Sequence, residues 1–343
     1  MVNQTGGKRL GVKRFGMRRS GWTILALFLL FAVTLLSLGT GRVFLDPAIL
    51  AASVVEPKPS LAWLILAELR MPRTILGLMV GATLGLSGAV LQGLLRNPLA
   101  EPGLLGVSAG AALGAVVAIY FGLTATFALA TPLLGIAGAI IAATITLTVG
   151  RGGTLTMILA GVAVSGLMGA GLSLALNFAP SPYAVNEITN WLLGSLADRD
   201  WNQLMLAAPF ILAGWACLIV THRDLDALTL GEAQADSLGV NLRRTRLLAL
   251  AGTAMAVGAA TAVTGTIGFI GLLAPHLVRP FVGHQPSRVL LPAALFGAIL
   301  LVFADIATRV IPTSQEVKLG VLTSLAGTPF FFWLVTRLRR MSP

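Results

Sequence analysis

Long runs of apolar residues, separated by short polar segments, dominate the chain from residue 22 to residue 337. A membrane-spanning helix needs about 20 mostly apolar residues. Ten runs meet or approach that length. The predicted spans are 22–40, 74–95, 103–122, 127–149, 154–178, 203–221, 246–264, 266–280, 288–309 and 319–337. We therefore expect an all-α polytopic membrane protein with about ten transmembrane helices, because a helix satisfies its own backbone hydrogen bonds in lipid.

The eighth run, 266–280, is short for a crossing and contains Pro275 and His276. We expect a broken or partial helix there, shielded from lipid by protein or water. No polar segment is long enough to fold alone. The predicted organisation is a basic cytoplasmic tail at 1–21, a single transmembrane domain at 22–337 and a cytoplasmic tail at 338–343.

Basic residues are distributed unevenly around the predicted spans. With the N-terminus in the cytoplasm and ten crossings, seventeen of the 24 lysines and arginines fall on the cytoplasmic side and seven on the other. This distribution follows the positive-inside rule and predicts that both termini are cytoplasmic. Omitting the eighth run would place the basic C-terminus outside, so the charge count favours ten crossings.

Composition supports a membrane location. Of the 343 residues, 56% are hydrophobic and 11% are charged, and the mean hydropathy is +0.88; a soluble domain carries about 25% charged residues. The net charge of +11 suggests either nucleic acid or membrane. Because the basic clusters flank apolar runs, we expect membrane lipid and no nucleic acid as partner. The single cysteine, Cys217, lies in an apolar run and is expected to be a buried, unreactive thiol.

The sequence lacks the motifs of common catalytic sites. No lysine occupies a G-x-x-x-x-G-K-[ST] motif, so no ATP site is predicted. The three histidines are scattered, and no catalytic residue, metal site or cofactor is expected. Asp305 is the only carboxylate within the predicted spans, whereas ion-coupled transporters usually need intramembrane ionisable groups. We therefore expect another subunit to supply the energy for transport; an ion-coupled secondary transporter is the alternative from another class.

Three arginines flank the predicted outer ends of two spans. Arg70 and Arg73 precede the second span, and Arg309 ends the ninth. Guanidinium groups form bidentate pairs with carboxylates, so these arginines could bind acidic groups of a docking protein. Spacing alone favours the alternative, which is snorkelling or a local ion pair with Glu68 or Asp305.

The cytoplasmic segment at about 228–240 predicts a short helix that ends at Gly239. Its apolar surface is formed by Leu230, Ala233, Ala235 and Leu238. The helix is too short to span the membrane and too polar to lie in lipid. It fits a helix-in-groove contact with a cytoplasmic partner, and a solvated loop helix is the alternative.

Two further patterns have a structural and a functional interpretation. The stretch from Asn97 to Gly103 joins the second and third spans and contains two prolines. It predicts a rigid cytoplasmic turn, or a gate at the exit of a pore. Glycines recur every four residues at Gly77, Gly81 and Gly85, and again at Gly106, Gly110 and Gly114. We interpret both series as close helix packing in preference to ligand contacts.

Seven stretches, in order along nearly the whole chain, together resemble the FecCD-type permeases of binding-protein-dependent ABC importers. They are 69–74 (L-R-M-P-R-T), 88–110, 159–162 (L-A-G-V), 191–196 (W-L-L-G-S-L), 230–240, 265–279 (G-T-I-G-F-I-G-L-L-A-P-H-L-V-R) and 316–330. This family includes vitamin B12, ferric-siderophore and haem permeases. A single stretch would be weak, but the ordered set is specific.

The resemblance implies a type II ABC importer permease fold in the bacterial cytoplasmic (inner) membrane. The implied partners are ATP-binding cassette ATPase subunits, a periplasmic or lipid-anchored substrate-binding protein, and a second permease subunit that is identical or paralogous. An iron(III)-siderophore or similar metal chelate is the expected cargo. Vitamin B12 and haem are the alternatives within the same family.

Individual positions also match the family. Arg70, Arg73 and Arg309 match the arginines that receive acids of the binding protein, which favours docking over the local alternative. The ATPase coupling helix is matched by Leu230, Gly231, Glu232, Ala235, Leu238 and Gly239, and the cytoplasmic gate by Asn97 and Leu99. One departure is visible, because the family commonly has E-L-P-x-G where this chain has E-V-K-L-G at 316–320. Lys318 therefore stands where the family commonly has proline. We expect this change to leave the fold unaltered and to bear on docking or substrate.

Overall fold

The computed structural model describes residues 19–41, 60–313 and 316–341. Within these residues, a helix lies at each of the ten predicted spans. They are α1 Arg19–Gly39, α2 Met71–Leu94, α3 Val107–Tyr120, α4 Ala130–Val149, α5 Thr154–Asn177, α6 Trp201–Val220, α7 Leu242–Thr264, α8 Ile270–Val282, α9 Pro286–Val310 and α10 Leu319–Met341. By length and composition eight could cross a membrane, while α3 and α8 are shorter apolar helices. The predicted all-α membrane fold is confirmed.

Shorter helical segments connect these ten helices. They are Leu61–Leu64, the π-helical turn Ile65–Arg70, the 3₁₀ turn Pro102–Leu105, Leu123–Thr126, Pro182–Leu192, His222–Leu228 and Glu232–Ser237. Of the predicted tails, residues 1–18 and 342–343 lie outside the described residues, whereas α1 already begins at Arg19 and α10 continues to Met341.

The helices α2 and α7 form the centre of the bundle. In their apolar windows, 83% and 78% of the residues are buried, against 6% for α1. The helix α9 packs along α2, α4 packs against α3 and α7, and α6 packs on α7. Because one face of α6 remains exposed, Cys217 is half-buried, and the prediction of a buried thiol is wrong.

Glycines allow the central helices to approach backbone to backbone. A Cβ atom built on Gly81 would lie 2.5 Å from the carbonyl oxygen of Gly297 in α9. A Cβ on Gly110 would lie 2.5 Å from the carbonyl oxygen of Gly138 in α4. No side chain fits at such distances, so the packing interpretation is confirmed for these positions. Gly106 is different, because it precedes α3 in a left-handed conformation with φ of 78°.

The helical path into α2 begins earlier than the predicted second span. Ser60 caps the first turn, and the chain then passes through the π-helical turn Ile65–Arg70 into α2. In that turn the N–H of Met71 donates to the carbonyl of Leu66, five residues back. The wider turn lets the helix continue through Pro72, which has no N–H to donate. Arg70 therefore lies inside a helical segment, not before it as expected.

The eighth span is broken, as predicted. The helix α8 has 13 residues and contains Pro275 and Pro280. Residues 265–269 before it are non-helical, and Phe269 has a left-handed backbone with φ of 67°. This short helix packs against α2 and α9, so protein shields its irregular entry.

We predict that Gly85→Leu strongly reduces the yield of folded protein and lowers its melting temperature. A Cβ at Gly85 would collide with the backbone of Ala293 in α9, and such overpacking costs about 1–3 kcal/mol or more. Size-exclusion chromatography and thermal unfolding in detergent measure the effect.

Gly166→Leu is the matched control. Gly166 lies inside α5, and a Cβ there meets no atom within 4 Å. Equal losses in the two variants would contradict the packing argument, because the gain in helix propensity from replacing glycine with leucine is similar at both positions.

Candidate functional site

At one end of the bundle, which we call the arginine end, the end of α1 meets the start of α2 and the end of α9. Arg70 is buried there, with 6% of its surface exposed. Its Nη1 donates to the carbonyl oxygens of Leu38 at 2.7 Å and Gly39 at 2.8 Å. These carbonyls are among the last of α1, which have no partners within their own helix. Arg70 therefore caps α1.

Arg73 joins two carboxylates from distant parts of the chain. Its Nη2 lies 2.7 Å from Oδ1 of Asp305 in α9, and its Nε donates to the same carboxylate at 3.1 Å. Arg73 also pairs with Glu316, which lies just before α10. The carboxyl of Asp305 is 2% exposed, whereas that of Glu316 is 24% exposed. One guanidinium thus connects α2, α9 and the entry to α10.

Arg309 forms the second guanidinium contact of Asp305. Its Nε donates to Oδ2 of Asp305 at 3.1 Å, and the two residues form an i,i+4 ion pair in α9. Its Nη1 donates to the carbonyl oxygens of Ser37 and Thr40, both at 2.9 Å. The local ion pair that spacing suggested is therefore present, and α1 is attached to it.

Three guanidinium groups come together at the arginine end. Among the described residues, Asp305 pairs with Arg73 and Arg309, and Glu316 pairs with Arg73. Together the three arginines line a concave opening of about 620 Å³. The side chains of Arg73 and Arg309 are only 13% and 5% exposed. An incoming ligand could therefore contact only the edges of their guanidinium groups. An additional carboxylate entering this opening would meet the guanidinium groups that line it.

At the opposite end, which we call the short-helix end, the helix Glu232–Ser237 lies between α6 and α7 along the chain. Gly231 precedes it with φ of 110°, and Gly239 follows with φ of 86°. The N–H of Val240 donates to Ala235 at 3.0 Å, and the N–H of Gly239 donates to Asp236 at 2.8 Å. This pair of bonds is a Schellman motif, which confirms the predicted helix end at Gly239.

Glu232 fixes this short helix to two membrane helices. The Thr154 hydroxyl at the start of α5 donates to Glu232 at 2.6 Å, and Arg246 of α7 pairs with the same oxygen at 2.8 Å. The hydrogen bond from Thr154, followed by that from Arg246 and its positive charge, lowers the pKa of Glu232. The carboxylate therefore stays charged at neutral pH and keeps both contacts.

The neighbouring helix His222–Leu228 is fixed to a third membrane helix. Asp226 accepts hydrogen bonds from the backbone N–H and the hydroxyl of Ser287, at 2.9 and 2.6 Å, at the start of α9. Gln285 donates to it at 2.6 Å. Burial acts to raise the pKa of Asp226, but these hydrogen bonds outweigh it and the pKa is lowered.

Two large apolar side chains that flank the short helix are exposed. Leu230 is 62% exposed and Leu238 is 66% exposed, although neither lies in a membrane helix. Ala235 is fully buried against the protein. The two leucines therefore project from a rigidly attached element, in the arrangement that a partner groove requires.

The turn after α2 is held by Asn97, whose Oδ1 accepts a hydrogen bond from the N–H of Leu99 at 2.9 Å. The same turn is fixed to the end of α2 by the bond from Asn97 N–H to the carbonyl of Gln92. Gln92 in turn accepts a bond from Arg279 of α8 at 2.7 Å. The predicted turn chemistry is confirmed, while the gate role of Asn97 and Leu99 stays a prediction.

A large opening of about 760 Å³ lies along the face of α10. Its lining is apolar or carries small hydroxyls, and it consists of Leu192, Leu193, Thr266, Gly268, Gly320, Val321, Ser324, Leu325, Thr328 and Pro329. No charged side chain is among these lining residues. Within the described residues, no group of three or more histidine, cysteine, aspartate or glutamate side chains could hold a metal ion.

These features can be compared with known proteins. The model of the FecCD transport family matches residues 29–337. The chain belongs to the FecCD transport family. This FecCD permease is a multi-pass transport subunit of the ABC importer class.

Two curated relatives and one solved structure are similar over most of the FecCD permease. The hemin transport system permease protein HmuU of Yersinia pestis is 38% identical over 283 residues, which cover 81% of this chain and 84% of HmuU. The vitamin B12 import system permease protein BtuC of Salmonella paratyphi A is 39% identical over 328 residues, covering 94% and 97%. An inward-facing structure of an ABC transporter assigned to the metal-chelate type superposes with a TM-score of 0.79 and 31% identity, covering 93% and 99%.

Sequence reasoning missed one ion pair and one short helix in this FecCD permease. The pair of Arg73 with Glu316 joins residues 243 positions apart, and no local spacing indicates it. The helix His222–Leu228 was not predicted, although Asp224 and Asp226 in its sequence suit a helix N-terminal region. The partner of Asp226, Ser287, becomes its neighbour only when α9 packs beside this helix.

We predict that Asp305→Asn destabilises the FecCD permease far more than Glu316→Gln. Removing the Asp305 charge leaves Arg73 and Arg309 buried with too few negative partners, which costs about 3–5 kcal/mol. Glu316 is more exposed, so its loss is expected to cost about 1 kcal/mol or less. Thermal unfolding in detergent compares the two amide variants, and equal shifts would show that Asp305 is not the central partner.

Proposed function

We propose that this FecCD permease moves an iron(III)-siderophore or a similar metal chelate inward across the bacterial cytoplasmic membrane by alternating access. The vitamin B12 and haem permeases among its relatives make those cargoes the alternatives. The metal-chelate assignment of the similar solved structure supports the first choice. In this proposal both termini are cytoplasmic, the arginine end faces outward and the short-helix end faces the cytoplasm.

The exposed leucines on either side of the helix Glu232–Ser237 are the observation that carries the ATP-driven mechanism. Leu230 and Leu238 expose large apolar surfaces, and a separate ATPase subunit would cover them. Glu232 and Asp226 connect this region to α5, α7 and α9. A displacement of the short helix by the ATPase would therefore move three membrane helices together.

The three guanidinium groups at the arginine end support docking of a substrate-binding protein there. Arg70, Arg73 and Arg309 line an opening in which Glu316 is the only lining acid among the described residues. A carboxylate from a periplasmic or lipid-anchored binding protein would bind these guanidinium groups. Because Glu316 is more exposed than Asp305, it is the acid that an incoming carboxylate would replace at Arg73.

The opening along α10 supports a path between two permease subunits, identical or paralogous. Its lining of leucines, glycines and the hydroxyls of Thr266, Ser324 and Thr328 offers only weak contacts to a bulky cargo. Such a surface lets cargo pass without being trapped. A metal chelate brings its own ligands, so the path needs no metal-binding side chains.

The alternative of an ion-coupled transporter has less support. Asp305, the carboxylate within the predicted spans, is already bound by Arg73 and Arg309. A coupling ion would have to displace a buried guanidinium to reach it. Family membership also favours the ABC importer.

We predict that the permease co-purifies with an ATPase, and that Leu238→Asp abolishes both this association and ATP-driven uptake. A charge at this position would be buried without a partner in an apolar contact, which costs several kcal/mol. Co-purification and uptake of ferric chelates into proteoliposomes measure the two effects. Uptake should also stop when the ATPase loses its nucleotide-binding lysine.

Thr229→Asp is the control, because it places the same charge at an exposed polar residue of the same end. It should retain association and uptake. If uptake instead collapsed with the ion gradient while ATP stayed high, the secondary transporter would be correct. If Leu238→Asp retained the ATPase, the assigned contact would be wrong.

We predict opposite effects of Arg73→Gln and Glu316→Gln on docking. The first removes a charge that attracts the carboxylate of the binding protein, and should weaken binding by about tenfold or more. The second removes the internal competitor for Arg73, and should strengthen binding several-fold. Biolayer interferometry on the complex in nanodiscs, at low and high salt, measures both.

The control for this pair is Arg151→Gln, because Arg151 is exposed between α4 and α5, away from the arginine end. It should leave the affinity unchanged. Equal weakening by Arg73→Gln and Glu316→Gln would show that the cluster only stabilises the fold.

A further inference from the structure

An apolar groove of about 600 Å³ opens on the surface of the bundle, lined by residues of α1, α2, α6 and α9. We call it the α1–α6 groove, after its lining residues Leu30 of α1 and Trp215 of α6. Two other lining residues, Ile219 and Leu291, are 53% and 61% exposed. In a transmembrane bundle such an apolar surface faces lipid, so the groove is accessible from the bilayer.

The α1–α6 groove is polar at one end only. Ser287 lies at the start of α9, and His222 follows the end of α6, so both of these lining residues belong to the short-helix end. The other lining residues are leucine, isoleucine, methionine, alanine and tryptophan. A ligand that fits must therefore be apolar along most of its length and polar at one tip.

The length of the groove matches one leaflet of a bilayer. Its lining residues in α9 run from Ser287 to Ala298, over which a helix rises about 16 Å. Half of the hydrocarbon core of a bilayer is about 15 Å thick. A helix about 10 Å in diameter would need roughly twice the volume of the groove over this length, so a thinner occupant such as an acyl chain fits.

The walls of the groove are fixed before any ligand arrives. The Nε1 of Trp215 donates to the hydroxyl of Thr83 at 2.9 Å, and Thr83 is fully buried in α2. The indole ring is therefore held in place. The helices α2 and α9 meet backbone to backbone at Gly81 and Gly297, so they cannot close together over the groove. A preformed site of this kind loses little conformational freedom on binding.

Two exposed arginines stand beside the polar end of the groove. Arg223 follows His222 in the sequence, and Arg288 follows Ser287. Among the described residues, no ion pair joins either arginine to an acid. The carboxylate of Asp226 is bound by the N–H and hydroxyl of Ser287. The two guanidinium groups can therefore receive a phosphate from outside the chain, as basic sites at the cytoplasmic ends of membrane helices do.

We propose that the α1–α6 groove binds one anionic phospholipid of the cytoplasmic leaflet. An acyl chain lies along α9 against Trp215, and the phosphate is bound by Arg223 and Arg288. This inference rests on the proposed function for its orientation, in which the short-helix end faces the cytoplasm. Because the lipid binds only the folded protein, it also stabilises the arrangement of α1 and α6 on the central helices.

The test compares two lipids that differ only in the charge of the head group. The permease is purified with its ATPase, freed of lipid in detergent, and titrated with phosphatidylglycerol or phosphatidylcholine of identical acyl chains. Native mass spectrometry measures the affinities. We expect one phosphatidylglycerol per permease to bind about tenfold more tightly than phosphatidylcholine, as for one hydrogen bond to a charged group, and to raise the melting temperature.

Two variants test the two ends of the groove. The double variant Arg223→Gln/Arg288→Gln should bring phosphatidylglycerol within about twofold of phosphatidylcholine. Ala294→Phe places a ring in the groove from α9 and should weaken both lipids alike. Both arginines are exposed, so their double variant tests the site even where Ala294→Phe folds poorly.

The matched controls are Arg151→Gln and Ala163→Phe, at exposed residues outside the groove. Both should bind the two lipids as the parent does. Equal affinity of the parent for the two lipids would overturn the proposal, and so would unchanged binding of phosphatidylglycerol in the arginine double variant. Disulfide-linked dimers of Met79→Cys in native membranes would also overturn it, because a second copy of the chain would then cover the groove.

Failure of this inference and failure of the proposed function give different results. If the parent transporter shows no ATP-driven uptake of any chelate but binds phosphatidylglycerol selectively, the proposed function fails and the lipid site remains. If the parent transports and binds the two lipids equally, only the lipid site fails.

Discussion

The Asp305 carboxylate between two guanidinium groups is the contact on which the arginine end depends. It lies in a bundle whose helices otherwise meet through apolar and small side chains, so an unpaired charge there would be severely destabilising. Arg73 approaches it from α2, and Arg309 from the next turn of α9. Through Arg309 the backbone of α1 is also attached. Three helices thus take their relative positions from one buried acid, and the more exposed Glu316 is left to interact with α10.

The sequence predicted the helices well because membrane helices follow from the length of apolar runs, and each run had to satisfy its own backbone hydrogen bonds. It predicted less well where the backbone conformation or the exposure of a residue depended on contacts with other helices. The π-helical turn at Ile65–Arg70 is invisible in a hydropathy pattern, and the exposure of Cys217 depends on which face of α6 meets α7. The candidate sites show the same difference between local features and features that arise from tertiary packing. The cap at Gly239 is local and was predicted, whereas the partner of Arg73 at Glu316 arises only from tertiary packing.

The short-helix end combines two properties that rarely occur together in one surface element. Its acidic residue Glu232 is bound to two membrane helices through Thr154 and Arg246. Its largest apolar side chains, Leu230 and Leu238, are nevertheless exposed. A loop that only connected two helices would need neither feature. The proposed contact with an ATPase would use both, because the partner would hold the leucines and the force would reach the membrane helices through Glu232.

The middle of the bundle determines what kind of motion such a force can produce. At Gly81 and Gly297 the helices meet backbone to backbone, with no flexible side chains between them. Packed interiors of this kind resist compression, so α2 and α9 should move as one body. Relative motion is then confined to places where a contact is strained or replaceable. Phe269 is such a place, because its backbone is in a left-handed conformation, and its neighbour Gly268 lines the opening that transport would use.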